Sequence, residues 1–185
     1  MPSSLDDAEI HRIVHNVVQN VLGPAAERQP VQSAGKKVIA IGADHGGFEL
    51  KEALKSDISA LGFEVSDMGT NSKEAVDYPD FAHAVAQAVS AGKAWRGIMI
   101  DGAGIGSCIV ANKVPGVRAG MAYDVSSANN SREHNDTNVL TLGAGLIGAA
   151  LAKQIVKVWL TTEFAGGRHL PRVDKIVAVE KRYLK

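Results

Sequence analysis

Residues 36–55 read KKVIAIGADHGGFELKEALK. The short apolar run from Val38 to Ile41 is bounded on its far side by Gly42-Ala43-Asp44-His45-Gly46-Gly47. A run of that length ending in glycines reads as a buried strand that breaks into a loop. Beyond the loop, Phe48, Leu50, Leu54 and Ile58 supply the apolar contacts of a helix over 47–60. The unit is therefore strand, glycine-rich loop, helix.

The same unit recurs along the chain. FEVSDMG (63–69), WRGIMIDG (95–102), VRAGMAY (117–123) and NVLTLG (138–143) read as further strands. Between them lie helices over 79–91, starting at a proline that a first turn tolerates, near 107–112 and over 124–133. Helices over 146–161 and 173–183 close the chain. Five strands alternating with helices predict an α/β fold, a parallel sheet covered on both faces with right-handed connections. Such sheets bind ligands beyond the carboxyl ends of their strands.

Bulk composition narrows the classes. The 185 residues carry 20 basic and 20 acidic side chains, so net charge gives no general attraction to nucleic acid or to an anionic membrane. Hydrophobic residues make up 45 %, enough for a core. The longest apolar stretches fall short of a membrane span. The start, MPSSLDDAEI, lacks the basic segment and apolar run of a secretory signal. One cysteine, Cys108, rules out an intramolecular disulfide. A cytoplasmic protein is expected. Glycine is enriched, at 19 of 185 residues, and it clusters in loops.

The first 35 residues differ from the rest. Ile10, Ile13, Val14, Val17, Val18, Val21 and Leu22 form one apolar stripe at helical spacing, and Gly23-Pro24 stops it. A linker, AAERQPVQSAG, follows. Residues 1–35 are thus expected to be an amphipathic helix with a linker, and 36–185 the main domain. The stripe either packs on its own domain or a symmetry mate, or docks on another protein.

Four loops carry candidate chemistry. In the first, Asp44 either caps the following helix with His45 on the surface, or the two present a carboxylate and an imidazole over the sheet edge. The second, Asp101-Gly102-Ala103-Gly104-Ile105-Gly106, superficially resembles a dinucleotide fingerprint but follows the third strand rather than the first. It also lacks the Lys-Ser/Thr of a nucleotide triphosphate loop. Its glycines permit backbone N–H groups to converge on one point, as an enediolate oxyanion would require. Asp101 at its mouth is a candidate base if the loop encloses it. The third loop, Ser131 to Asn138, is entirely polar and holds His134, the natural acid–base candidate. The fourth, Gly166-Gly167-Arg168-His169-Leu170-Pro171-Arg172, places two arginines four apart, suited to a phosphate or simply solvated. Asp44, His45, His134 and Asp136 lack the close His/Cys spacing of a metal site, so no metal is expected. Cys108 reads as an apolar filler or, less readily, a base.

Together IGADHGGFELKEALK, Asp77-Tyr78-Pro79, the glycine loop with its trailing Ala111-Asn112-Lys113, SREHNDTNVLTLG and GGRHLPRV resemble the ribose-5-phosphate isomerase B family, which includes the galactose-6-phosphate isomerase subunits. The pieces occur in family order across nearly all of 36–185. The resemblance implies a Rossmann-like three-layer α/β/α sandwich used without a nucleotide, no cofactor, and a homodimer whose active sites are built from both subunits, with a tetramer left open. By position it implies that Asp44 and His134 open the sugar ring. His45, Arg168 and Arg172 would bind phosphate, Asn135 would lie near the sugar hydroxyls, and the Gly102–Gly106 backbone, with Gly104 between, would form the anion hole.

The chain departs from the family at the base. Many members have a cysteine where Asp101 stands; others use a glutamate at the position of Ser107. Ala103 replaces a threonine or serine. The expected function is aldose–ketose isomerisation of a phosphorylated sugar, ribose 5-phosphate to ribulose 5-phosphate by default, with Asp101 as base. The alternatives are a sugar-phosphate-binding or regulatory protein without turnover, and an assembly protein using the N-terminal helix. Helices of that kind occur on enzymes packaged into bacterial microcompartments.

Overall fold

The strands and helices alternate as the apolar pattern requires. In the computed structural model, which describes residues 36–184, they run β1 (Val38–Ala43), α1 (Phe48–Ala60), β2 (Glu64–Asp67), α2 (Tyr78–Ser90), β3 (Arg96–Asp101) and α3 (Ile105–Ala111). There follow β4 (Ala119–Met121), α4 (Val125–Asn135), β5 (Val139–Gly143), α5 (Ala149–Thr161), a 3₁₀ turn (Gly167–His169) and α6 (Leu170–Tyr183). The helix expected in the first 35 residues lies outside the described residues.

All pairings are parallel, in the order β2-β1-β3-β5-β4. Because β2 and β3 lie on opposite sides of β1, the connections leave β1 and β3 in opposite directions, and a crevice opens between their carboxyl ends. Alternate strand residues point to opposite faces. Ile39, Ile41, Ile98, Ile100, Leu140 and Leu142 pack with Leu54 and Ile58 of α1 and Ile155 and Trp159 of α5. Ala40, Met99 and Val139 face the other way, onto Ala82, Val85 and Val89 of α2 and Ala111 of α3. Helices cover both faces, giving the three-layer α/β/α sandwich.

Element ends differ from the expected ones for local reasons. The helix expected from Leu146 starts at Ala149, because the N–H groups of Leu146 and Ile147 both turn back to the carbonyl of Gly143. The last helix starts at Leu170, three residues early, since Pro171 in the first turn needs no N–H acceptor. The fourth strand shrinks to three residues at the sheet edge.

Two buried cations tie the layers together. Lys51 of α1 is fully buried, and its Nζ lies 2.6 and 2.7 Å from the two carboxylate oxygens of Asp67 on β2. Arg96 donates to the carbonyls of Trp159 (2.8 Å) and Leu160 (3.0 Å), closing the carboxyl end of α5. Burial, with Arg132 nearby, lowers the Arg96 pKa to about 10.

Candidate active site

The crevice between β1 and β3 brings the first two loops together. Asp44 leaves β1 with its N–H bonded to the Ile100 carbonyl of β3 (3.1 Å). Its Oδ1 accepts the Gly47 N–H at 2.9 Å, so Asp44 does hold the start of α1. It also lines a cavity of about 180 Å³ with Tyr78, Asp101, Gly102, Ala103 and Gly106. The capping and site readings of Asp44 are therefore both satisfied by one carboxylate. His45 is exposed, and its Nδ1 accepts the Val76 N–H at 3.2 Å.

The glycine loop does converge its N–H groups, but on the chain's own carboxylate. Asp101 is only 4 % exposed. Its Oδ1 accepts the N–H groups of Ala103 (2.8 Å) and Gly104. Its Oδ2 accepts the N–H of Ser107 (3.2 Å) and the Ser107 hydroxyl. Gly104 makes this turn with φ of 79°, a left-handed conformation that a side chain would strain. Gly106 packs close against the end of the Tyr78 side chain, where a β-carbon would stand 2.5 Å from Cζ.

The other expected residues form a second group. His134, in the last turn of α4, has Nδ1 2.8 Å from Asn130 Nδ2 and stacks on His169, with ring centroids 4.1 Å apart and planes 7° apart. Arg168 Nε donates to His169 Nε2 at 3.4 Å. The fourth loop is brought to α4 by the Ala165 N–H, bonded to the Glu133 carbonyl at 3.0 Å. Asn135 is exposed and reaches back to the Asn130 carbonyl at 3.5 Å, while Arg172 is exposed on α6. Burial lowers the His169 pKa, and His134, Arg168 and Arg172 push it the same way. The cavity beside Asp44 includes none of these residues.

Asp136, weighed as a metal ligand, is bonded instead to Arg118 and Arg132, each at 2.8 Å. Among the described residues no group of three or more His, Cys, Asp or Glu is placed to hold a metal ion. Nor, among them, is any helix long and apolar enough to cross a membrane. Cys108 Sγ lies 3.6 Å from the Ala119 carbonyl and from Asn112, outside the Asp44 cavity, and burial pushes its thiol up.

A carboxylate pair over one cavity, beside a loop of free and engaged N–H groups, is suited to moving protons on an oxygen-rich ligand. A family model for ribose/galactose isomerases matches residues 39–176. The chain belongs to the ribose/galactose isomerase family. Ribose-5-phosphate isomerase B of Escherichia coli is 48 % identical over 146 residues, spanning 79 % of this chain and 98 % of that protein. D-erythrulose-4-phosphate isomerase of Pectobacterium atrosepticum is 45 % identical over 139 residues, 75 % of this chain and 91 % of that one. The solved structure of Clostridium thermocellum ribose-5-phosphate isomerase B superposes with a TM-score of 0.78 at 50 % identity, covering 80 % of this chain and 99 % of that one. Isomerases of this family thus share the sheet on which the two groups are built.

Three residues of the site were not among those expected from the sequence. Tyr78 sits in a motif, Asp77-Tyr78-Pro79, that names no chemistry by itself. Ser107 stands where a glutamate would signal a base, and a serine there gives no such signal. His169 lies between two arginines, whose charge points to phosphate rather than to an imidazole stack.

Proposed function

We infer that the chain isomerises a phosphorylated aldose to its ketose, with ribose 5-phosphate and ribulose 5-phosphate as the leading pair. The observation that carries this is a buried carboxylate, Asp101, lining one cavity with Asp44 in a member of an isomerase family. The D-erythrulose-4-phosphate isomerase among the relatives makes a four-carbon sugar the next substrate to try.

In this reading Asp44 and His134 open the ring, one taking the anomeric hydroxyl proton while the other protonates the ring oxygen. Asp101 then removes the proton from C2 of the open chain. The C–H electron pair forms the C1–C2 double bond and the carbonyl oxygen becomes the oxyanion. Of the Gly102–Gly106 backbone, the N–H groups of Ala103 and Gly104 are taken by Asp101, so the oxyanion in this reading falls to those of Gly102, Ile105 and Gly106. The C2 hydroxyl proton passes to the neighbouring C1 oxyanion, which moves the charge to the C2 oxygen; as that oxygen becomes the ketone, the C1–C2 double-bond electrons take the proton back from Asp101 onto C1. His45, Arg168 and Arg172 hold the phosphate and Asn135 the hydroxyls. No cofactor takes part in this scheme.

A second copy of the chain completes the site. The separation of the His134 group from the Asp44 cavity supports this. So does the apolar rim around the glycine loop, where Ile105, Ile109 and Leu146 are 50 %, 57 % and 57 % exposed. Residues 1–35 serve as a separate docking element in the cytoplasm, for a partner protein or a microcompartment shell. Deleting residues 1–30 should leave turnover intact and abolish association with a larger assembly; unchanged partitioning would count against docking.

The central test is Asp101→Asn with ribose 5-phosphate in deuterated water, followed by NMR. Loss of deuterium incorporation at C2 is expected. Undiminished exchange would remove Asp101 as base, and tight binding by the unaltered protein with no exchange would show a sugar-phosphate-binding protein instead.

A further inference from the structure

Asp101 reaches its neighbours through four hydrogen bonds, two at each oxygen. A carboxylate offers about four lone-pair sites in its plane, so all are occupied. An oxygen that is to take a proton from carbon must first lose a donor. Once protonated, it must find an acceptor, because the new O–H is buried with the side chain.

Three of the four partners are backbone N–H groups of Ala103, Gly104 and Ser107. They are fixed by the turn into α3, and they can only donate. The fourth is the Ser107 hydroxyl, which rotates freely about its C–O bond and both donates and accepts. Ser107 is fully buried, so no solvent competes for that hydroxyl. Asp44 and Tyr78, the other polar side chains lining the cavity, are not among the four donors to Asp101.

We propose that Ser107 is a positioning residue whose hydroxyl reverses its hydrogen bond as Asp101 gains and loses the substrate proton. In the resting state Ser107 Oγ–H donates to Oδ2. As the C2–H bond breaks, the hydroxyl turns from Oδ2 to the backbone carbonyl four residues back, that of Ala103, the ordinary acceptor for a serine in a helical turn, and Oδ2 takes the proton. The Oδ2–H formed then donates to Ser107 Oγ. When the proton returns to C1 the hydroxyl turns back. No proton leaves Ser107, and the carbon-bound proton of the substrate is the only one that Asp101 carries. The hydroxyl thus keeps the carboxyl group satisfied, in one orientation, in both protonation states.

This rests on Asp101 being the base, so the experiment keeps the two ideas apart. Ser107→Ala, Ser107→Thr and Ser107→Val are compared with Asp101→Asn, using ribose 5-phosphate turnover and C2 deuterium exchange. Ser107→Ala should lower kcat about 10- to 100-fold, the range of a hydrogen bond to a charged group, with KM changed less than about twofold. Threonine and valine share a shape, so the added methyl affects both alike. Threonine should restore most of kcat, and valine should behave as alanine does. If Asp101→Asn abolishes exchange while Ser107→Ala keeps kcat within about twofold, the role of Ser107 is overturned and the base stands. Exchange that survives Asp101→Asn overturns both. If alanine at 107 spoils the thermal transition, equal kcat for the threonine and valine variants is the overturning result.

Discussion

Gly106→Ala separates the site's geometry from the fold's stability. A β-carbon at residue 106 would stand 2.5 Å from both Cζ and Oη of Tyr78, whereas ordinary contact begins near 3.4 Å. The tyrosine ring must therefore retreat about 0.9 Å, the difference of those two distances. It can do so, because Tyr78 is 38 % exposed and the clash is with the far end of its side chain. Residue 106 has helical backbone in α3, where alanine is favoured over glycine by up to about 1 kcal/mol. Moving the ring off its rest position costs about the same. Stability should then change by less than about 1 kcal/mol in urea unfolding. The Asp44 cavity is only about 180 Å³, and displacing one of its walls by nearly an ångström misplaces the sugar. The expected loss in kcat/KM is about 10- to 100-fold. In a Tyr78→Ala background the three atoms nearest the added methyl are gone, so Gly106→Ala should cost less than about twofold there. An equal loss in both backgrounds, or destabilisation beyond about 2 kcal/mol, would refute the argument.

Lys51→Met should destabilise the domain by about 2–4 kcal/mol, less than a fully stranded buried charge would, because Asp67 keeps Lys55 and the Gly69 N–H. Burial alone would raise the Asp67 pKa, but Lys51, Lys55 and Gly69 together outweigh it and leave it lowered. A lowered carboxyl contributes stability above its unfolded pKa, near 3.9, and loses it as pH falls through the folded value. The gap between the melting temperatures of the two proteins should accordingly hold from pH 7 to about pH 4 and narrow as the pH falls below that; a gap that stays constant down to about pH 2 would exclude this pair as the source. Cys108, with its thiol pushed up by burial, should react with iodoacetamide at pH 7.5 at least about tenfold more slowly than free cysteine. Cys108→Ala should keep kcat within about threefold, and a larger loss would give the thiol a part in catalysis.

The fold was legible because its signals are periodic and local. Val38–Ile41 and Ile98–Ile100 are apolar on both faces, and Val139–Leu142 departs from that only at Thr141, as a sheet covered twice demands, and glycines mark where each of these strands ends. Strand order was not legible. Nothing local says that β4 lies outside β5, or that β1 meets β3. Buried Lys51 and Arg96 were likewise hidden, since a cation in an amphipathic pattern reads as solvated until its partner on another element is known.

Within the site, the loops were legible and their internal contacts were not. Aspartate before a run of glycines announces a carboxylate near converging N–H groups, yet the spacing cannot say whether those groups point at a ligand or back at the carboxylate. Here two residues decide it. Gly104 turns with positive φ, which swings the N–H groups of Ala103 and Gly104 onto Oδ1, and Ser107 then arrives one turn later with its own N–H and hydroxyl on Oδ2. A longer carboxylate at 101 would overshoot that cradle, and a thiol would leave it empty. The length of the aspartate side chain and the hydroxyl at 107 are therefore one feature, and changing either alone should cost more than either residue's own contacts suggest. Coupling between Asp101→Glu and Ser107→Ala in a double-mutant cycle measures this directly: additive losses in kcat would mean that the two residues act independently.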